Sequence, residues 1–310
     1  MKPRVLVISA VSMDFIQRAD EFPETDAPAV GNSYDYLPGG SGATQSITVR
    51  ALGGDAILCA RVGADSNGQR LRTLYRDMDV DTRFMFMERR SLTGLSSVQI
   101  IPSGEKRIMT FPGANTYLSP VDAEEAFTAL PDAAVMRLDI PERTALAASE
   151  FAARKNIPLV ISASGVKEDY PLSKLYPCEI FCPNERELQM FSGIAPSSTE
   201  NCLRAVIRLS SIVKAKYYVV KMGERGAFLY DGKYYNIVLA TNNNKLDTSG
   251  SGDIFTAALA TEYARSRNIM RAVKYANVVA GMSVARPGLL ESIPSEDEVD
   301  DYIAERGIKL

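Results

Sequence analysis

The segment Asp247-Thr248-Ser249-Gly250-Ser251-Gly252-Asp253 sets two glycines around one small residue, with a carboxylate directly after them. An apolar run from Ile254 to Leu259 follows and continues as a helix. A Gly-x-Gly turn entering a helix lets backbone N–H groups converge with no Cβ in the way. Those amides and the positive end of the helix favour an anion. The chemistry this suggests is phosphoryl transfer, in which a protein chiefly positions reactants and offsets charge. Gly250, Ser251 and Gly252 would offer amides to a phosphate, and Asp253 would accept a proton from an attacking hydroxyl. The plain alternative is a capping role for Asp253.

Three further constellations bear on that reading. Pro183-Asn184-Glu185-Arg186-Glu187 follows a short apolar strand. Asn184 and Glu187, three apart at a helix start, can face one spot and suit water-mediated Mg²⁺ binding, or else form a capping box. Lys221-Met222-Gly223 ends another strand and could line a nucleotide or be a simple turn. Pro38-Gly39-Gly40-Ser41-Gly42-Ala43-Thr44-Gln45 opens a helix and allows close approach of a polar ligand to backbone, but it is not a P-loop. Asp14, on an early segment, could meet ligand hydroxyls or be a solvated turn residue.

Composition removes other chemistries. The 310 residues contain no histidine, which excludes Ser-His-Asp and Cys-His catalysis and histidine metal sites. The net charge of −3, without a basic cluster, argues against nucleic-acid binding. No apolar run is long enough to span a membrane, and the N-terminal apolar run is too short for a signal peptide. Cys59, Cys178, Cys182 and Cys202 lack zinc spacing and read as reduced core residues of a cytoplasmic protein.

The elements that must position these residues alternate along most of the chain. Strands are predicted near 5–9, 56–62, 134–138, 158–162, 179–182 and 217–222. Helices are predicted at 43–52, 67–77, 122–130, 142–155, 185–191, 200–213, 253–266, 270–285 and 295–305, with a β-meander at 226–239. This pattern calls for an α/β fold with a mostly parallel central sheet and helices on both faces. Two stretches, about 11–38 and 83–112, carry strands without helices. They are expected to form one small antiparallel sheet projecting from a single domain that spans 1–310.

Taken in order and spacing, Gly39 to Gln45, Arg61-Val62-Gly63-Ala64-Asp65-Ser66-Asn67-Gly68, Pro112-Gly113-Ala114-Asn115, Asn184 to Glu187 and Asp247 to Asp253 resemble the ribokinase-like (PfkB) carbohydrate kinases over nearly the whole chain. The resemblance implies a three-layer α/β/α domain with a small β-sheet lid, ATP and Mg²⁺ as cofactors, and a homodimer formed through the lid. By match, Asp253 is the base and Gly250, Ser251 and Gly252 the anion hole, with Ser251 in place of the usual Ala. Asn184 and Glu187 match the Mg²⁺ and phosphate box. Lys221, Gly223 and Asn277 match positions beside the nucleotide. Asp247, with Gly288 and Ser292 opposite, matches the monovalent-cation loop of ribokinase, which would allow activation by K⁺.

On the acceptor side the resemblance gives Asp14, Gly39, Gly40, Thr44 and Asp139 as sugar-binding positions. Here the chain departs from ribokinase. Ser41 stands for a Lys, Thr44 for an Asn and Asp139 for a Glu, so the pocket polarity must have been rewired together and plain D-ribose is not the expected acceptor. The implied activity is phosphorylation of a primary hydroxyl of a small sugar. The alternatives are a nucleoside kinase, for which Phe15, Tyr34, Tyr36 and Phe111 would have to wall the base, a sugar-phosphate acceptor held by Arg107, and a non-catalytic sugar- or nucleotide-binding regulator.

Overall fold

A computed structural model describes residues 2–241 and 244–310. Thirteen strands are found among them: β1 (Arg4–Ile8), β2 (Ser12–Ala19), β3 (Gly31–Gly39), β4 (Asp55–Gly63), β5 (Met85–Glu88), β6 (Leu95–Ile100), β7 (Lys106–Phe111), β8 (Ala133–Arg137), β9 (Leu159–Ser162), β10 (Cys178–Cys182), β11 (Ala215–Lys221), β12 (Ala227–Tyr230) and β13 (Tyr235–Val238). The helices are α1 (Gly40–Ala51), α2 (Ser66–Asp77), α3 (Pro120–Ala126), α4 (Glu142–Arg154), α5 (Glu185–Ser192), α6 (Thr199–Ile212), α7 (Ser251–Ser266), α8 (Ile269–Ser283) and α9 (Glu296–Glu305).

Nine strands form one sheet in the order β13-β12-β11-β10-β9-β8-β1-β4-β5. From β11 to β5 every pairing is parallel, and β12 and β13 add an antiparallel edge. Central strands such as β1 bury both faces, so Val5 and Val7 pack with α1, α7 and α8 while Leu6 and Ile8 pack with α3, α4 and α6. This two-sided burial is why these strands are short continuous apolar runs rather than alternating ones. All four cysteines are buried free thiols, as the composition suggested.

The second sheet has the order β3-β2-β6-β7. It corrects two expectations for 83–112. The strand near 84–87 is β5, which pairs parallel with β4 at the edge of the large sheet and takes no part in the small one. The small sheet is not wholly antiparallel, because β2 and β6 run parallel. A short apolar tetrapeptide carries no record of which sheet it joins. Here Arg61 decides it, through ion pairs with Glu88 at the end of β5 (3.0 Å) and Asp122 on α3 (2.7 Å). Two smaller shifts concern helix starts: α1 begins at Gly40 and α3 at Pro120.

The motifs at 61–68 and 112–115 fasten the small sheet to the large one. Asp65 caps α2 through Gly68 N (2.8 Å) and accepts from Thr93 N (2.7 Å) and Thr93 Oγ1 (2.6 Å), which fixes the entry to β6. Asn115 accepts from Val11 N (2.9 Å) and donates to Val11 O (2.7 Å) and Pro112 O (2.8 Å). The entry to β2 and the exit from β7 are thereby held by one buried amide, whose loss would leave backbone groups unpaired at about 1–3 kcal/mol each.

Candidate active site

The start of α7 lies at the C-terminal edge of the large sheet. Gly250 adopts φ +69°, a conformation that favours glycine, and a Cβ there would also displace Leu289 Cδ1, 2.2 Å away. Ser251 is held by its N–H and Oγ to Thr248 O (3.3 and 3.0 Å). The amides of Gly250 and Gly252 make no hydrogen bond among the described residues. No side-chain capping bond forms at this helix end. Asp253 points elsewhere: its Oδ2 accepts from Arg137 Nη1 at 2.6 Å, and its Oδ1 lies 3.5 Å from Gln45 Nε2.

On one side of Asp253 is a cavity of about 330 Å³, of a size that suits a small ligand. It is lined by Asn184, Lys221, Gly223, Ser251, Gly252 and Asn277, six positions already singled out in the sequence, and by Ser164, Lys245 and Gly281, which were not. Lys221 ends β11, and its Nζ lies 3.6 Å from where a Cβ on Gly252 would be. A cation, unpaired amides and a helix N-terminus thus converge on one spot, an arrangement that attracts an anion. Asn277 on α8 is buried and donates to Val238 O (2.8 Å) and Leu239 O (3.1 Å), tying α8 to the end of β13 beside the cavity.

Asn184 and Glu187 form the capping box that the sequence left open: Asn184 Oδ1 accepts from Glu187 N, and Glu187 Oε2 accepts from Asn184 N, both at 2.8 Å. Glu187 Oε1 also accepts from Asn184 Nδ2 (2.8 Å) and Ser164 Oγ (2.7 Å). No cluster of three or more acidic or cysteine ligands occurs among the described residues. This donor set fits Mg²⁺ carried by a ligand's phosphates and water, with a protein carboxylate nearby, and not an all-protein cage.

On the other side of Asp253 lies a group of polar side chains around the start of α1. Asp14, on β2, accepts from Ser12 Oγ (2.7 Å), and its carboxylate presses on Gly39, where a Cβ would come within 1.9 Å of Oδ1. Burial raises the Asp14 carboxyl, partly offset by hydrogen bonds from Ser12 and Ser96. Gly40, with φ +77°, turns the chain into α1 against Ala10 O. Ser41 Oγ bridges Ser9 Oγ (2.7 Å) and Asp139 Oδ2 (2.8 Å). Thr44, buried one turn on, sets its methyl beside Gly250. Asp139 lies 3.1 Å from Arg137 Nε, an ion-pair distance without hydrogen-bond alignment. Burial raises the Asp139 carboxyl, while Arg137 and Ser41 draw it back down.

Asp247 Oδ1 accepts from Ser249 N (2.9 Å), and its Oδ2 faces Lys106 Nζ of β7 at 3.3 Å. Lys106 Nζ also reaches Ser249 Oγ (3.2 Å), so the small sheet touches the loop just before α7. Leu246 N and Asp247 N donate to Val284 O (2.7 and 3.2 Å), which joins this loop to the segment carrying Gly288 and Ser292. Gly288 has φ +89°, and Ser292 Oγ donates to Leu289 O (2.9 Å).

The aromatic candidates do not meet the polar side chains around the start of α1. Cross-strand partners share a face, and Asp14 pairs with Leu37 and Ser96 while Phe15 pairs with Tyr36. Phe15, Tyr34, Tyr36 and Phe111 all fall on the face opposite Asp14. There Phe15 and Tyr36 stack at 4.9 Å, and Arg70 of α2 covers Tyr36 at 5.3 Å. Arg107 lies on that same face, over Phe22 at 4.1 Å. Sequence reasoning missed Arg137, Gln45 and Lys106. For Arg137 a signal was present, a cation ending an apolar strand, two residues after Val135 and so on the same face as that core residue.

Comparison with known proteins places this geometry in context. The family model described as pfkB family carbohydrate kinase matches residues 2–296. A deoxyribokinase from Salmonella typhi is 26% identical over 302 residues, covering 97% of this chain and 98% of that protein. A ribokinase from Haemophilus influenzae is 23% identical, covering 98% of this chain and 99% of its own length. Among solved structures, the Arabidopsis thaliana ribokinase complexed with ribose and ATP superposes with a TM-score of 0.86 at 22% identity, over 97% of this chain and 98% of that one.

Proposed function

The chain belongs to the pfkB family of carbohydrate kinases, and we propose that it transfers the γ-phosphoryl group of ATP to a primary hydroxyl of a small sugar. The observation that carries this reading is the junction at Asp253. On one side stand Gly252, Lys221 and the cavity beyond them. On the other, an unbroken run of contacts leads through Arg137, Asp139 and Ser41 to the α1 start at Gly39–Gly40 and to Asp14. A base set between an anion-attracting cavity and a hydroxyl-binding pocket is what phosphoryl transfer to an alcohol needs.

In this reading the nucleotide occupies the cavity, with adenine toward Asn277 and Gly223 and the phosphates toward Lys221 and Asn184. Asp14, Gly39, Gly40, Thr44 and Asp139 hold the sugar. Asp253 takes the proton of the attacking hydroxyl, whose oxygen bonds to the γ-phosphorus as the bond to the β–γ bridging oxygen breaks, leaving ADP. The amides of 250–252 and Lys221 offset the charge that develops on the transferred group. Mg²⁺, carried on the nucleotide phosphates with Glu187 at that edge, supplies further charge neutralisation when bound. Asp247, Gly288 and Ser292 are the residues that would serve a K⁺ ion.

The small sheet acts as a lid in this proposal, excluding water that would compete as acceptor. Its outer face exposes Tyr34, Met109 and Phe111, which a second copy of the chain would cover in a homodimer. No helix among the described residues is long and apolar enough to cross a membrane.

The test is ADP release with ATP, Mg²⁺ and K⁺ across ribose, deoxyribose, other pentoses, hexoses and nucleosides. Acceptor-dependent release with a sugar is expected. Release no faster than the acceptor-free background for every member would sink the kinase reading.

A further inference from the structure

β8 ends at Arg137, which shares a strand face with Val135, and Asp139 follows in the turn beyond it. That face is the one covered by α1 and α7, since Val135, two residues earlier, packs in the core those helices share. Arg137 therefore enters the site from the floor, between two carboxylates: Asp253 Oδ2 at 2.6 Å and Asp139 Oδ2 at 3.1 Å. Its side chain is three-quarters covered, at 24% exposure, so this charge is largely withdrawn from water. The ribokinase pattern places a lysine at position 41, and here Ser41 offers only a hydroxyl to Asp139.

We propose that Arg137 is a positioning residue for Asp253 and a determinant of acceptor choice, supplying from β8 the pocket cation that the ribokinase pattern takes from α1. The inference rests on the kinase reading above. Two carboxylates brought into one poorly solvated pocket repel each other, and a cation between them offsets that. The fork geometry of a guanidinium adds direction. By occupying Oδ2 of Asp253, Arg137 leaves Oδ1, with only the 3.5 Å contact from Gln45, as the oxygen free to take the acceptor's proton.

The test is a set of four variants assayed against the acceptor panel: Arg137→Gln, Arg137→Lys, Ser41→Lys, and Arg137→Gln combined with Ser41→Lys. Arg137→Gln is expected to lower kcat by about 10–10²-fold with KM for ATP nearly unchanged, the signature of a misaligned base. Arg137→Lys recovers part of that loss. Ser41→Lys alone is deleterious, because it crowds a second cation against Asp139. Combined with Arg137→Gln it becomes beneficial, raising kcat/KM about tenfold over the single Arg137→Gln variant and changing the ranking of sugars, a non-additivity expected only of groups sharing one partner.

Arg137→Gln within about threefold of wild-type kcat, or a combined variant no better than Arg137→Gln, would overturn the inference. Should Arg137→Gln fail to fold, the comparison of Arg137→Lys and the combined variant with wild type decides it. Sugar-induced shifts in Tm give a readout independent of turnover. An unchanged sugar ranking between wild type and the combined variant overturns the inference, whereas absence of turnover in the wild type overturns the kinase reading.

Discussion

Lys221 and Gly252 meet at the C-terminal edge of the large sheet, the ammonium 3.6 Å from the point that a Cβ on the glycine would occupy. Lys221 belongs to the last parallel strand and Gly252 to the first turn of α7. Their approach turns a helix end into a site with charge on one wall and free amides on the other. Asp253, the next residue, faces away from this spot toward Arg137. In the proposed mechanism, the division of labour between binding a phosphate and accepting a proton would follow from that single change of direction.

Replacing Asp253 by Asn keeps the shape and removes proton acceptance. We expect kcat to fall by about 10²–10⁴-fold with KM for ATP little changed. Steady-state kinetics with the best acceptor checks this, and more than about a tenth of wild-type turnover would refute the assignment of the base.

Gly250 and Ser251 should behave in opposite ways. Gly250→Ala forces a Cβ to within 2.2 Å of Leu289 Cδ1 at a φ of +69°, and the strain should cost about 1–3 kcal/mol of stability together with most of the activity. Ser251→Ala removes only a hydroxyl that bonds Thr248 O and should change kcat little. Thermal melts and kinetics on both variants, run side by side, test whether backbone and not side chain makes the anion site.

Asp14 carries a pH signature. Burial raises its carboxyl above the ordinary 3.8, so the ionised form that would accept sugar hydroxyls in the proposed mechanism is lost at a higher pH than an exposed aspartate would show. KM for the acceptor should therefore rise on acidification, starting above that value. The linkage sign is the reverse of a salt-bridged acid. A raised folded-state value gives stability that is fully present below the unfolded value and lost as pH rises through the folded one. At neutral pH Asp14 thus costs stability, and Asp14→Asn should raise Tm while lowering kcat/KM and flattening the acid limb of KM. A lower Tm would contradict the burial argument.

Lys106 is the small sheet's contact with the loop before α7, through Asp247 and Ser249. Both partners are partly exposed, so the pair itself contributes little stability. Lys106→Ala should leave Tm within about 2 °C, as expected of a surface substitution, while raising acceptor KM and the rate of ATP hydrolysis without acceptor. Equal KM and hydrolysis rates in both proteins would mean that this contact does not hold the small sheet over the site.

Much of the architecture was legible because its causes are local. Continuous apolar runs alternating with amphipathic helices specify a parallel sheet with two covered faces. Gly40 and Gly250, both at positive φ, mark turns that favour glycine. Where the cause is a partner distant in the chain, the sequence was silent. β5 reads the same in either sheet, and Arg61, pairing with Glu88 and Asp122, settles the matter. Phe15, Tyr34, Tyr36 and Phe111 suit a binding wall by type, but strand register turns all four to the face away from Asp14.

What the sequence by itself determined is therefore the family, the fold and the residues from which a phosphoryl-transfer site can be built, since each rests on residue type at fixed local spacing. Only the tertiary structure decided which charged side chains meet beside Asp253. Arg137 and Asp253 are separated by 116 positions, and their ion pair exists because β8 and α7 end at the same edge of the sheet. No spacing rule encodes an approach of that kind, and the cation beside Asp253 comes from a strand that the motif does not include.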